Sequence, residues 1–318
     1  MFRFAPLERQ RMSVDNRART LSGVGFCVLA LFCFASQDVI VKYLSGDYPV
    51  LEILTIRVSV VLFILLVVGF LVQGPSVLRS RHPILLLTRG VLAFMAFTIY
   101  YLALTVIPLA NAAAVFMTAP LLVTLLSILV LGERVGFYRW GAIVCGLVAV
   151  MIILNPGSSL FAWVSAMPLL SALCYAMIPI ITRRIGLAEH PLSMAIYTSV
   201  SYLTLCLVVS GFAWMFPLEQ PGEGLLTKLL GAWVMPDTSG WFWLLLSASI
   251  FALALVLITQ AYRIAPVSSV APFEYSYILW ATLLGLLVFG HIPDLRVIVG
   301  ALLVVAAGVF VTHREQRT

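Results

Sequence analysis

Charge is what this sequence has least of. Only 10% of its 318 residues are Asp, Glu, Lys or Arg, whereas soluble domains carry about 25%. With 62% hydrophobic residues and a mean hydropathy of +1.09, a water-soluble fold of this size is excluded and the solvent for most of the chain is a lipid bilayer. Chemistry-bearing residues are equally scarce. The four histidines, His82, His190, His291 and His313, stand far apart, and no Walker loop is present, which excludes ATP hydrolysis by this chain. The five cysteines, Cys27, Cys33, Cys145, Cys174 and Cys206, lie inside apolar runs and have neither metal-ligand spacing nor the pattern of a secreted disulfide framework. They read as small core residues. No cofactor and no enzyme activity is implied.

What the sequence does contain is long apolar runs. A bilayer core needs roughly 20 apolar residues per helix, and ten stretches meet or approach that length: 21–43, 50–72, 84–104, 110–131, 137–154, 162–182, 192–214, 241–262, 267–289 and 296–312. The expected fold class is therefore an all-α integral membrane protein with ten transmembrane helices. The first run lacks a small-residue cleavage site and reads as a retained span, not a signal peptide. Residues 1–20 read as a mobile tail and 313–318 as a second tail. A polar loop over 215–240 contains an expected surface-lying amphipathic piece near 225–233, bracketed by Trp214, Trp233, Trp241 and Trp243.

The net charge of +6 comes from basic residues placed between apolar runs, as topology signals are, so nucleic acid is not an expected partner. If the N-terminus is cytoplasmic, 15 of the 19 Lys and Arg residues fall on the inner side. Only Lys42, Arg57, Lys228 and Arg296 lie on the outer side or in its half of the bilayer. That asymmetry predicts two cytoplasmic termini.

The chain also repeats itself. Ile107-Pro108-Leu109 opens an apolar run that closes at Leu131-Gly132-Glu133, and Ala265-Pro266-Val267 opens one that closes at Phe289-Gly290-His291. Pro108 and Pro266 are 158 positions apart, as are Gly132 and Gly290, and a fixed offset with shared punctuation marks an internal duplication. Earlier spans align at smaller offsets: Lys42 with Arg183 at 141, and Pro49 with Pro191 at 142. Five spans per copy is an odd number, so the second copy (162–312) is expected to be inverted relative to the first (21–154). Such repeats place a substrate site at their interface near the midplane.

Ionisable residues inside a span are expensive and are functional candidates. Asp38, Lys42, Glu52 and Arg57 all fall in the outer half of spans 1 and 2. Asp38 and Lys42 stand four apart on one helix face, which favours an ion pair. The group reads either as a charge-neutral lock between two helices or as an outer gate with an anion-binding arginine. Glu274, about seven residues into span 9, has no opposite charge on its own helix, and a proton is its candidate exchange partner during transport. It could instead be tied to Arg183, Arg184 or Arg263, or to backbone at a break after Pro272. Gln37, Tyr100, Tyr101, Asn111, Thr118, Tyr175 and Gln260 add polar lining, and Tyr275, Tyr277 and Trp280 add aromatic surface. Tyr100 and Tyr101 point to different sides, so at most one faces a cavity. Pro120, Pro168, Pro179 and Pro272 lie within spans, where kinks are expected. Ala110, Ala112, Ala113, Ala114, Gly141, Gly146, Gly300 and Gly308 allow close helix approach, within rocking half-bundles or at a homodimer contact.

With Leu131-Gly132-Glu133 closing span 4, Ala-Pro-Phe-Glu-Tyr at 271–275 opening span 9, Pro108-Leu109-Ala110-Asn111-Ala112 opening span 4 and Arg89-Gly90 in span 3, the chain resembles the drug/metabolite transporter superfamily, in particular the EamA family of bacterial permeases. The resemblance covers about 21–312 and departs from the pattern at His291, which stands in the place of the glutamate. It implies an inner-membrane secondary transporter working by alternating access on a small metabolite. Members differ in cargo, which includes amino acids, flavins, nucleotide-linked compounds and organic acids. Arg57 and Arg89 favour carboxylate-bearing cargo, amino acids foremost, with Glu274 and Arg57 at the charged ends and Tyr101, Tyr275 and Trp280 on its apolar part. The alternatives are a vitamin, flavin or nucleotide-type cargo, or a non-transporting scaffold.

Overall fold

The computed structural model describes residues 6–131, 140–141, 144–145, 148–149, 151–152, 163–185, 188–215, 224–265 and 270–315. Gly132 and Glu133, most of the fifth expected span, part of the 215–240 loop, and Pro266 lie outside the described residues. All regular structure among the described residues is helical. In chain order the helices are α1 (Pro6–Leu44), α2 (Val50–Gln73), α3 (Pro83–Leu104), α4 (Leu109–Phe116), α5 (Ala119–Leu131), α6 (Met167–Ile185), α7 (Pro191–Met215), α8 (Leu225–Leu230), α9 (Thr238–Ile264), α10 (Ser276–Phe289) and α11 (Leu295–Glu315). Short 3-10 turns occupy Gly74–Leu78, Trp163–Ala166 and Ala271–Tyr275.

Among the described residues six helical segments are long and apolar enough to cross a bilayer, and two shorter apolar ones, Leu109–Val123 and Phe273–Phe289, accompany them. This is a multi-pass membrane protein. Its surface carries large apolar side chains that water would not tolerate in such density, among them Leu71 at 81%, Leu287 at 70% and Phe63 at 68% exposure. Residues 6–20, in the stretch expected as a tail, are the N-terminal part of the helix α1. Between Leu7 and Leu21 there is no Gly or Pro to stop it.

The fourth span is broken where the sequence dictates. Pro120 has no N–H and its ring clashes with the carbonyl four residues back, and that residue is Phe116, the last of α4. The Thr118 hydroxyl donates to the Val115 carbonyl at 2.8 Å, satisfying part of the opened ladder. The ninth span has the same design, with the 3-10 turn holding Pro272 and the α-helix starting at Ser276. The two joints, 117–118 and 275–276, are 158 positions apart, the offset that relates Pro108 to Pro266. Pro179, by contrast, sits inside an unbroken α6.

Helix packing comes in matched pairs. The largest interfaces include α1 on α9 and α3 on α6, α1 on α10 and α5 on α6, and α2 on α9 and α3 on α7. Each pair maps onto the other when span n is exchanged with span n+5. Gly90 lets α3 reach α7, because a Cβ there would stand 2.5 Å from the Thr198 carbonyl and 2.4 Å from the Ser201 Cβ. At Gly290 the chain leaves α10 with φ +67°, a left-handed cap that glycine adopts without cost.

Candidate functional site

The helix breaks and the aromatic faces of α1, α3 and α6 enclose a cavity with about 550 Å³ of empty space, its open mouth included. Its lining holds two acids, Asp38 and Glu274, and six aromatic rings, Phe34, Phe97, Tyr100, Phe116, Tyr175 and Tyr277. Among the described residues no Lys, Arg or His belongs to that lining. Phe116, the last residue before the first helix break, packs against Tyr100 at 5.1 Å, Tyr175 at 5.3 Å and Tyr277 at 6.3 Å between ring centres. The duplication offset relates lining residues to one another: Phe116 to Glu274 and Ala119 to Tyr277, both at 158, and Phe34 to Tyr175 at 141. Positions related by these offsets thus face one space, with apolar groups at Phe34, Phe116 and Ala119 and polar groups at Tyr175, Glu274 and Tyr277.

Asp38 is the centre of a hydrogen-bond network. Its Oδ1 accepts from the Tyr101 hydroxyl at 2.7 Å and from the Gln37 amide, and its Oδ2 accepts from the Tyr277 hydroxyl. Tyr277 shares a 2.7 Å hydrogen bond with Tyr100. Behind this layer the fully buried Arg57 donates from Nη1 to Gln37 Oε1 at 2.6 Å and to the Tyr101 hydroxyl at 3.1 Å. Its guanidinium also lies over the rings of Tyr101 and Phe251, at 4.8 and 4.3 Å, a favourable cation–π arrangement. Five helices, α1, α2, α3, α9 and α10, therefore meet on one carboxylate and one guanidinium.

Glu274 is held differently. The Tyr262 hydroxyl donates to its Oε1 at 2.5 Å, and Tyr175 is its second side-chain partner. Among the described residues no Lys or Arg is within ion-pair distance of this carboxylate, so the expected ties to Arg183, Arg184 or Arg263 do not describe it. Tyr262 was not among the residues singled out from the sequence.

The predicted Asp38–Lys42 ion pair is replaced by other contacts. Lys42 donates instead to the carbonyls of Leu104 at 2.6 Å and Ile107 at 2.7 Å. Helix C-terminal carbonyls lack intrahelical donors, and the long lysine stem reaches the end of α3 while Asp38 turns toward the tyrosines. Glu52 stands apart from the Arg57 network and accepts from the backbone N–H of Val234 at 2.9 Å, pinning the segment after α8. Gln260 receives, among the described residues, a 3.4 Å contact from Arg263 on its own helix. Trp280 meets Phe32 edge-on at 5.3 Å, outside the cavity lining, as is the buried Tyr275. Asn111 is half-buried in the first turn of α4, and Thr118 spends its hydroxyl on the helix break. Tyr100 lines the cavity and its neighbour Tyr101 does not.

The two ends of the bundle are tied across the chain. At one, Tyr48 donates to Asp237, the residue that caps α9, at 3.3 Å. At the other, Glu189 Oε1 accepts from Ser80 Oγ at 2.7 Å and from the backbone of Arg81 at 2.6 Å and His82 at 3.2 Å. Next to it, burial and the charge of Arg263 pull the His190 imidazole below its ordinary value. Its Nδ1 accepts from the Leu192 N–H at 3.3 Å.

Comparison with known proteins places this architecture. A model of the EamA-like transporter family matches residues 21–155. A riboflavin transporter of Rhizobium johnstonii is 31% identical over 244 residues, covering 77% of this chain and 75% of the relative. An S-adenosylmethionine uptake transporter of Rickettsia felis is 25% identical over 93% of this chain and 94% of its own. The pseudopaline exporter CntI of Pseudomonas aeruginosa is 28% identical over 93% and 97%. A solved crystal structure with 20% identity superposes with a TM-score of 0.65 over 95% of this chain and 99% of that one, which shows the shared fold.

Proposed function

Because the chain belongs to the EamA-like transporter family, a family of transporters and not of enzymes, we propose that it carries a small metabolite bearing a planar heterocycle across the bacterial inner membrane. The observation that carries this reading is the cavity lining, in which six aromatic rings and two carboxylates face one space. Aromatic walls stack planar rings and attract cations, and the carboxylates select for hydrogen-bond donors or positive charge on the cargo. Relatives that move S-adenosylmethionine or riboflavin fit such a wall. The amino-acid cargo favoured from the sequence gives way to this class, because the cavity lining is aromatic and acidic and Arg57 is not part of it.

The working cycle is alternating access between two inverted five-span repeats. The matched packing pairs, the helix breaks at equivalent positions and the ties at both ends of the bundle support it. The distribution of Lys and Arg supports two cytoplasmic termini. Relatives include an uptake carrier and an exporter, so direction is left to measurement. The test is uptake into proteoliposomes of labelled S-adenosylmethionine, riboflavin and an amino-acid panel, with and without a proton gradient. Saturable uptake of a heterocyclic compound is expected. Uptake of amino acids alone would overturn the cargo class, and a dependence on the gradient would identify the proton as coupling ion. No uptake of any compound would favour the scaffold reading.

A further inference from the structure

Arg89 is the charged side chain that the site described above leaves unused. It is 6% exposed, and its Nε and Nη1 are buried without a hydrogen-bond partner. Arg57 lies on two ring faces, whereas among the described residues Arg89 lies on none and forms no salt bridge. A buried unpaired guanidinium is costly, and its persistence asks for a partner that is not part of the protein.

Its position says where that partner sits. Arg89, Ala93, Ala96 and Tyr100 recur at spacings of four, three and four residues, one face of a helix, and Ala96 and Tyr100 line the cavity. This face meets α6, which runs antiparallel. Ser171 donates to the Ala96 carbonyl at 2.7 Å, and Leu86 packs with Ile181 and Ile185. Arg89 lies between those two contacts, and so does Tyr175, four residues beyond Ser171. The two are near enough to interact electrostatically. Tyr175 lines the cavity and partners Glu274, and Arg89 stands beside Tyr175 just beyond that lining, on the same face of α3.

We propose that Arg89 forms the carboxylate subsite of the transported molecule, which therefore carries an anionic carboxylate as well as a heterocycle and a positive group. This rests on the reading of the cavity as a heterocycle carrier and names its substrate class more closely. The charge balance favours a carboxylate over a phosphate: Arg89 offsets one negative charge, and a dianion would face Asp38 and Glu274. It also distinguishes cargo of the S-adenosylmethionine kind, which has an amino-acid head, from riboflavin, which has no carboxylate.

The experiment is ligand-dependent thermal stabilisation of the purified full-length protein, using two matched pairs of probes. One is S-adenosylmethionine and its decarboxylated form, and the other is L-methionine and 3-(methylthio)propylamine. The wild type is expected to favour the carboxylate member of at least one pair by roughly tenfold in half-saturating concentration, as for a charged hydrogen bond gained in a buried site. Arg89→Gln is expected to erase that ratio and Arg89→Lys to keep part of it, while the decarboxylated probe binds all three alike. If Arg89→Gln does not fold, the wild-type and Arg89→Lys ratios decide. A wild type that distinguishes neither pair, or an Arg89→Gln protein that keeps the preference, overturns the subsite. Discrimination within the methionine pair without binding of any heterocycle would retain the subsite and overturn the heterocycle reading instead.

Discussion

Two buried carboxylates face the same cavity and are built on opposite plans. Asp38 sits in the unbroken C-terminal part of the long α1, is held by three side-chain donors from three helices, and has Arg57 one layer behind it. Glu274 sits on a 3-10 turn at a helix break, is held by tyrosine hydroxyls, and has no cation within ion-pair distance among the described residues. The difference is one of replaceability. Asp38 and Arg57 are cross-braced through Gln37 and Tyr101, so neither can be moved without stranding the other. Glu274 can trade a hydroxyl for a ligand's donor at small cost, since its helix ladder is already interrupted. The first cluster is a brace and the second is suited to binding.

The comparison breaks most visibly at Arg57. Removing one member of a buried charge network leaves the other uncompensated, which costs about 3–5 kcal/mol. Arg57→Gln is therefore expected to lower the thermal midpoint strongly and to reduce the yield of monodisperse protein in detergent. Combining it with Asp38→Asn should restore part of that loss, because the stranded charge is gone. A thermal midpoint for Arg57→Gln equal to that of the wild type would show that the Asp38 cluster is not a brace.

Glu274→Gln is the reciprocal measurement. The substitution keeps volume and one acceptor, so the thermal midpoint should shift by only a few degrees while transport in proteoliposomes falls at least tenfold, about 1.4 kcal/mol. Normal transport by this variant would remove Glu274 from the site and leave the aromatic wall alone to bind cargo.

Much of this contrast was legible in the sequence, and the parts that were not have identifiable causes. Pro120 announced the break at Phe116, because proline acts on the carbonyl four residues earlier. Glu274 stood out because a lone carboxylate in an apolar run has few alternatives. Asp38 and Lys42 were misread because a spacing of four gives two side chains one face but not one direction, and lysine can reach past its neighbour to the carbonyls at the end of α3. Tyr262 was missed since a tyrosine in the last turn of an apolar helix looks like an interfacial anchor. Its partner lies twelve residues on, beyond a helix end that periodicity does not cross. Phe116 carries no polar signal at all, and only the 158-residue offset applied to Glu274 leads to it. Arg89 was visible as a charge, but its lack of a partner is a property of packing.

The finest test of the contrast is a single oxygen on each side. Tyr262→Phe removes one donor to Glu274 and nothing else of size, and a hydrogen bond to a charged group contributes about 1.5–3 kcal/mol. In a site built for exchange, part of that is recovered by ligand or water, so the half-saturating concentration for cargo should rise about three- to tenfold with little change in thermal midpoint. Tyr101→Phe removes the hydroxyl that bonds both Asp38 and Arg57, and should do the reverse, lowering the midpoint and leaving apparent affinity in the folded fraction within about twofold. Equal effects of the two variants on both readouts would mean that the carboxylates belong to one cooperative network, joined through Tyr277 and the cavity-facing end of α10. The helix break would then transmit occupancy of one acid to the other.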